Sequence, residues 1–219
     1  ILAAFLLLKL LPDVTSHSTT VKDKKNDATD SPYKDKVFMR FILLSFFFAV
    51  CFLQLFSMQP VFLKDGWHFS EFEIGTLMAL NGIIIVVIEM VLIHSIEGKK
   101  SALFFIRIGM FILVAGFGLY ILKSAHYGIG VLSMILITVG EIFCLPFFNT
   151  FWTKRTNPNN RGRYAALYTT AWSAAQVMAP TLGAAIAANF GYSVLWMGIA
   201  ITLLCLVVFT WFLEKLSVT

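Results

Sequence analysis

Glu141 is the residue of this chain with the most chemistry to offer. It sits in the apolar run Tyr127–Trp152, fourteen residues from Tyr127, which as helix is about 21 Å from one end. A carboxyl group is thereby placed near the middle of a bilayer-length segment, where ionisable groups are expensive and usually functional. Such a group can take up and release a proton as its surroundings change. Pro146, five residues on, has no backbone N–H and favours a bend beside it. Two readings stand side by side: a proton-coupling carboxylate, or one partner of an interior salt bridge to a base such as Lys100, Arg161 or Arg163.

Glu89 and Arg107 form a second constellation. Each lies about six residues inside the same end of its own apolar run, a shared depth of about 9 Å. Neighbouring antiparallel helices can pair them directly, so a structural or gating ion pair is the favoured reading over substrate binding. Arg107 alone could also reach the headgroups along its stem. Asn81 lies eight residues before Glu89, while Gln54 and Gln59 precede Pro60. In lipid such amides either bond between helices or line a polar cavity.

These residues need helices to position them, and the sequence supplies six apolar runs. They are Phe38–Leu63, Ile74–Ile96, Ser101–Leu122, Tyr127–Trp152, Tyr164–Phe190 and Tyr192–Leu213. A helix crosses about 30 Å of hydrocarbon with about 20 residues. In the fifth run Ala171, Ala175, Ala179, Gly183 and Ala187 recur at every fourth position, a small-residue face that admits a neighbouring backbone. Beside it run Tyr168, Trp172, Gln176 and Pro180 at the same spacing. Trp172 and Gln176 suit either a cavity wall or ordinary packing. The phenylalanines, Phe46–Phe48 and Phe52 among them, read mostly as lipid-facing bulk.

Composition agrees with a membrane protein. Hydrophobic residues make up 58% of the chain and charged ones 13%, against about 45–50% and 25% in soluble domains. The net charge of +5 is distributed by topology: basic residues fill the segment before the first run and alternate loops after it, including Lys99, Lys100, Lys154, Arg155, Arg161 and Arg163. By the positive-inside rule those loops face the cytoplasm, and nucleic acid is excluded as the reason for the charge. Cys51, Cys144 and Cys205 share no metal-ligand spacing, and no nucleophile, phosphate-loop or zinc-protease motif occurs, so neither a metal site nor an enzyme is indicated. Asp13–Lys36 is polar and reads as a flexible cytoplasmic linker within 12–37. Ile1–Leu11 reads as the end of a preceding helix, ahead of a bundle over 38–219. Tight turns such as Gly191-Tyr192 fit two three-helix units of inverted topology.

From about Lys36 onward the chain resembles the C-terminal half of a major facilitator superfamily transporter. A basic linker precedes six spans. Glu97-Gly98-Lys99-Lys100 stands where the family places its basic loop between helices eight and nine, though without that motif's Asp and Arg. Gly140-Glu141, Pro146, Asn157-Pro158 and Arg161-Gly162-Arg163-Tyr164 are similar to the tenth helix and its following loop, and a small-residue eleventh helix comes next. A comparable acid–Pro–Arg-Gly stretch appears in the drug:proton antiporter branch.

The resemblance implies an all-α, twelve-helix fold in two bundles around a cavity open alternately to each side. Ile1–Leu11 would end helix six, the six spans would be helices seven to twelve, and the N-terminal six-helix half would be their partner. Helices seven, eight, ten and eleven line such a cavity, which selects Gln54, Asn81, Glu141, Trp172 and Gln176. Glu89 with Arg107, and the basic residues Lys99, Lys100, Arg161 and Arg163, would hold the inner gate. The function expected is proton-coupled export of small amphipathic molecules across a bacterial cytoplasmic membrane, with the proton gradient and no cofactor. A proton-coupled peptide or sugar symporter and a non-transporting membrane scaffold are the alternatives.

Overall fold

Asp35 opens the first long helix. Its carboxylate accepts from the backbone N–H groups of Val37 (3.1 Å) and Phe38 (3.0 Å), donors that a helix start otherwise leaves unpaired. The computed structural model describes residues 31–96, 98–122 and 126–218. The expected helix end at 1–11, the linker residues 12–30, and Glu97 lie outside the described residues.

Where the sequence predicts one span, three helical pieces follow one another: α1 (Lys36–Phe52), α2 (Gln54–Ser57) and α3 (Gln59–Asp65). Pro60 accounts for the second break. It has no N–H for the carbonyl four residues back, and it sits in the first turn of α3, where that loss is tolerated. The chain continues through α4 (Glu71–Ile96), α5 (Ala102–Gly118), α6 (Tyr127–Thr153), α7 (Arg161–Phe190) and α8 (Tyr192–Val218). Ser101 caps α5 by accepting from Phe104 N–H at 3.2 Å. No strand occurs among the described residues.

The helices α5 and α6 pack together, with α8 behind α5; α1 lies against α7 and α8; α4 lies against α6. Aromatic rings fill the junction of α1, α6 and α7, with Phe41 and Phe151 4.4 Å apart and Phe48 and Phe148 4.6 Å apart. This corrects the expectation for Phe48 and Phe52, which are buried in the core rather than facing lipid, while Phe47 is exposed. Rings of this size fill the space between the three helices.

Among the described residues five helical stretches are long and apolar enough to cross a membrane: Lys36–Ser57, Glu71–Ile96, Ala102–Ile121, Tyr127–Thr153 and Tyr192–Leu216. The sequence reading counts six. The exception is α7, whose 30 residues give ample length but include many alanines, hydroxyls and amides. Burial also differs sharply among the spans. Only 11% of the apolar window of α4 is buried, against 56% for that of α6, so α4 is anchored along one narrow stripe.

Candidate functional site

Glu141 projects from the middle of α6 toward α4. Gly140 beside it explains how. A Cβ at Gly140 would lie 2.7 Å from Leu113 Cγ and 2.9 Å from the Gly109 carbonyl oxygen, so α5 and α6 meet backbone to backbone there. The next residue, about 100° further round the helix, points to the other neighbour. Glu141 is buried, and its Oε2 accepts from Asn81 Nδ2 of α4 at 3.0 Å. The same amide nitrogen donates to Thr138 Oγ1 at 3.0 Å, and Thr138 donates on to the Met134 carbonyl at 2.7 Å. Two of the expected cavity residues are thus brought together, and Thr138 joins them from one turn earlier on α6. The salt bridge considered for Glu141, to Lys100, Arg161 or Arg163, is not formed; its partner is an amide.

Arg107 is not paired with Glu89. It donates to Glu214 of α8 and, from Nε, to Thr210 Oγ1 at 3.3 Å, and its guanidinium lies 4.5 Å from the Trp211 ring centroid. Ser101 Oγ also donates to Glu214, at 2.6 Å. The reason lies in the packing: α5 rests on α6 and α8, so α6 stands between Arg107 and α4. Glu89 instead lines an open cleft of about 840 Å³ with His94 and Pro146. Glu214, one turn beyond Thr210 on α8, takes the guanidinium that equal depth assigned to Glu89. It was missed because it follows the last apolar run as the sequence delimits it.

The two faces of α7 serve different purposes. Ala171, Ala175, Ala179 and Gly183 are buried. A Cβ at Gly183 would come within 2.3 Å of Gln54 Oε1 and 2.6 Å of Met58 Cγ, which is why a small residue is needed. Gln54, expected as a cavity residue, spends its amide here, donating to the Ala179 carbonyl at 2.8 Å. The opposite face exposes Thr169, Thr170, Ser173, Gln176 and Thr181, and Thr169, Thr170 and Thr181 return their hydroxyls to the helix's own carbonyls. Gln176 is on this open face. Trp172 stands at its edge, half buried against Phe48, Phe52 and Tyr168. Polar faces on helices of membrane proteins are turned to protein or to water-filled cavities.

At the basic end, Asp35 does more than cap α1. Arg155 reaches it with Nε and Nη2, both at 3.1 Å, and the Tyr164 hydroxyl lies 3.5 Å away. This fork ties the starts of α1 and α7 to the end of α6, and neither partner was singled out in the sequence. A bidentate Arg–carboxylate contact is among the stronger charged contacts. Lys99, Arg161 and Arg163 are exposed, and Lys100 lies 5.8 Å from the Phe104 ring. Arg161 shares a shallow pocket with Lys154 in the α6–α7 loop. Among the described residues no three His, Cys, Asp or Glu side chains cluster as metal ligands.

A family model described as Major Facilitator Superfamily matches residues 1–180 of the chain. Among curated proteins no match is found.

Proposed function

The chain belongs to the major facilitator superfamily, and from that premise we propose that this membrane transporter is proton-coupled and exports small amphipathic molecules. Glu141 carries the reading. It is a mid-membrane carboxyl group held by the Asn81 amide, which the Thr138 hydroxyl steadies, and among the described residues it forms no ion pair. A fixed cation would hold a carboxylate ionised, whereas Asn81 donates to the charged form and leaves the neutral form accessible. Gain or loss of the charge changes the relative stability of the two cavity orientations, which is what a coupling ion must do.

On this reading α4, α6 and α7 contribute the wall of the cavity, with Trp172 offering an aromatic surface and Gln176, Thr169 and Ser173 a polar one. The mixture suits amphipathic cargo. Six spans then cross a cytoplasmic membrane as two inverted three-helix units, α7 being tolerated in lipid because its polar face is turned inward. The basic loops and the C-terminus face the cytoplasm. The Asp35–Arg155 fork and the Arg107–Glu214 pair stiffen that end, so that the bundle rocks as one body.

The test is dye efflux from cells expressing the protein under an imposed pH gradient, wild type against Glu141→Gln. Gradient-dependent efflux that the variant loses supports coupling through Glu141. Equal efflux by both makes Glu141 structural. No efflux by either removes the export reading, and uptake of labelled nutrients is then measured with the same pair of proteins.

A further inference from the structure

Glu89 stands in an aliphatic cleft without a partner. The cleft follows about three turns of α4, from Ile85 to Ser95, and its floor on α6 is Pro146. Ile85, Val86, Met90, Val91 and Ile93 make most of its wall; Glu89, His94 and Ser95 are the polar exceptions. Ser95 returns its hydroxyl to the Val91 carbonyl at 2.7 Å, and Glu89 makes no hydrogen bond or ion pair among the described residues. An unpaired carboxylate at this depth is costly unless water reaches it or a proton neutralises it. The cleft is open, so both are available.

The inner end of the cleft approaches Glu141. Pro146 lies five residues from Glu141, about 7.5 Å along α6, and it has no N–H for the Ile142 carbonyl, which leaves a backbone acceptor next to Glu141. Glu89 is within electrostatic range of Glu141. The groups on the Glu141 side are Asn81 and Glu89 from α4 and Thr138 from α6 itself; Cys144 is turned to the Ile106 carbonyl of α5, and Arg107 of α5 is turned to Glu214. Asn81 occupies Oε2 of Glu141 and leaves Oε1 for a proton.

We infer that this cleft is the proton route between the basic end of the bundle and Glu141, with Glu89 as its relay carboxylate and His94 at its mouth. The inference rests on the proton-coupled reading of Glu141. A proton from bulk water adds to the Glu89 carboxylate. The O–H bond at Glu89 then breaks as one forms, through water, at Oε1 of Glu141, and Glu89 returns to its carboxylate. The reverse sequence discharges Glu141 to the same side.

Time-resolved infrared spectroscopy after a pH jump on the purified protein tests this. The protonated-carboxyl band of Glu141 is identified by its loss in Glu141→Gln. In wild type the band follows the jump. With Glu89→Leu it follows at least about tenfold more slowly, and Ile85→Trp, which fills the cleft with Glu89 intact, slows it likewise. An unchanged rate in both variants overturns the route while leaving Glu141 as the coupling group. A Glu141 band that ignores pH in wild type overturns the proton-coupled reading itself, and the route with it. Glu89→Gln, whose amide keeps the shape, checks that the slowing is not misfolding: its melting temperature stays at the wild-type value while its rate falls as in Glu89→Leu.

Discussion

Glu141 and Glu214 are both carboxylates in apolar helices, and their surroundings oppose each other. Glu214 is met by Arg107 and by the Ser101 hydroxyl, with Thr210 and Trp211 completing the guanidinium's contacts. Glu141 is met by Asn81 alone, itself steadied by Thr138. A carboxylate with its own cation has no reason to change charge during a working cycle, and it fastens α5 to α8. A carboxylate held only by an amide can gain a proton without stranding a partner. Where the counter-charge sits separates a fastening from a switch.

The coarsest way to abolish that contrast is to part the helices that orient both sites. Gly140→Leu places a branched side chain where a Cβ already meets Leu113 and Gly109 at under 3 Å. Overpacking of this kind costs about 1–3 kcal/mol or more, and α5 cannot retreat without straining the Arg107–Glu214 contact. The variant is expected to yield little monodisperse protein on size-exclusion chromatography, whereas Gly118→Leu, at a site where nothing lies within 4 Å, is expected to yield wild-type amounts.

The contrast sharpens when each carboxylate is neutralised in turn. Glu214→Gln leaves Arg107 without its counter-charge in a mostly buried setting. Allowing for solvent at Glu214, whose side chain is 32% exposed, the loss is about 1–2 kcal/mol. Glu141→Gln keeps an acceptor for Asn81, so its cost in stability stays below about 1 kcal/mol. Thermal melts in detergent should therefore rank Glu214→Gln well below Glu141→Gln, and gradient-driven efflux should rank them in the opposite order. A smaller separation is expected on α7. Gly183→Val, on its buried face, drives into Gln54 and lowers the melting temperature, while Gln176→Ala, on its open face, changes which dyes are exported and leaves the melt alone.

Much of this was legible in the sequence, and the lapses have physical causes. Helix positions could be read because bilayer crossing demands long apolar runs, and Glu141 was visible because a charge in such a run stands out. Its bond to Asn81 depends on which helix lies beside which, and period and depth say nothing about that. The same gap produced the Glu89–Arg107 expectation: equal depth is necessary for a pair, but α6 lies between. The amide of Gln54 read either way, and the family resemblance placed it in the cavity; its bond to the Ala179 carbonyl beside Gly183 depends on which helices meet, which spacing does not give. Phe48 looked like lipid-facing bulk because a ring buried between helices and a ring in lipid have the same composition. The lower apolarity of α7 was present in the sequence all along. Its regular small-residue face drew attention away from the hydroxyls on the other side.

A third acid–base pair completes the series and gives its smallest effect. Lys64 and Glu71 meet at 2.9 Å across the link from α3 to α4, with side chains 58% and 85% exposed. The contact raises the Lys64 pKa, chiefly through its hydrogen bond with Glu71, so the lysine is charged throughout the neutral range and the pair is insensitive to pH there. Water competes for both groups, and holding two long side chains in one geometry offsets most of the attraction. Lys64→Ala is expected to leave both melting temperature and efflux at wild-type values between pH 6 and about 8. Raising the salt concentration should not change that result, because solvent has already screened the pair. A clear fall in either quantity would mean that this contact is withdrawn from water during the transport cycle. The link between α3 and α4 would then be a moving part, and geometry as short as that of a buried clasp would have to be credited to motion at the outer end of the bundle.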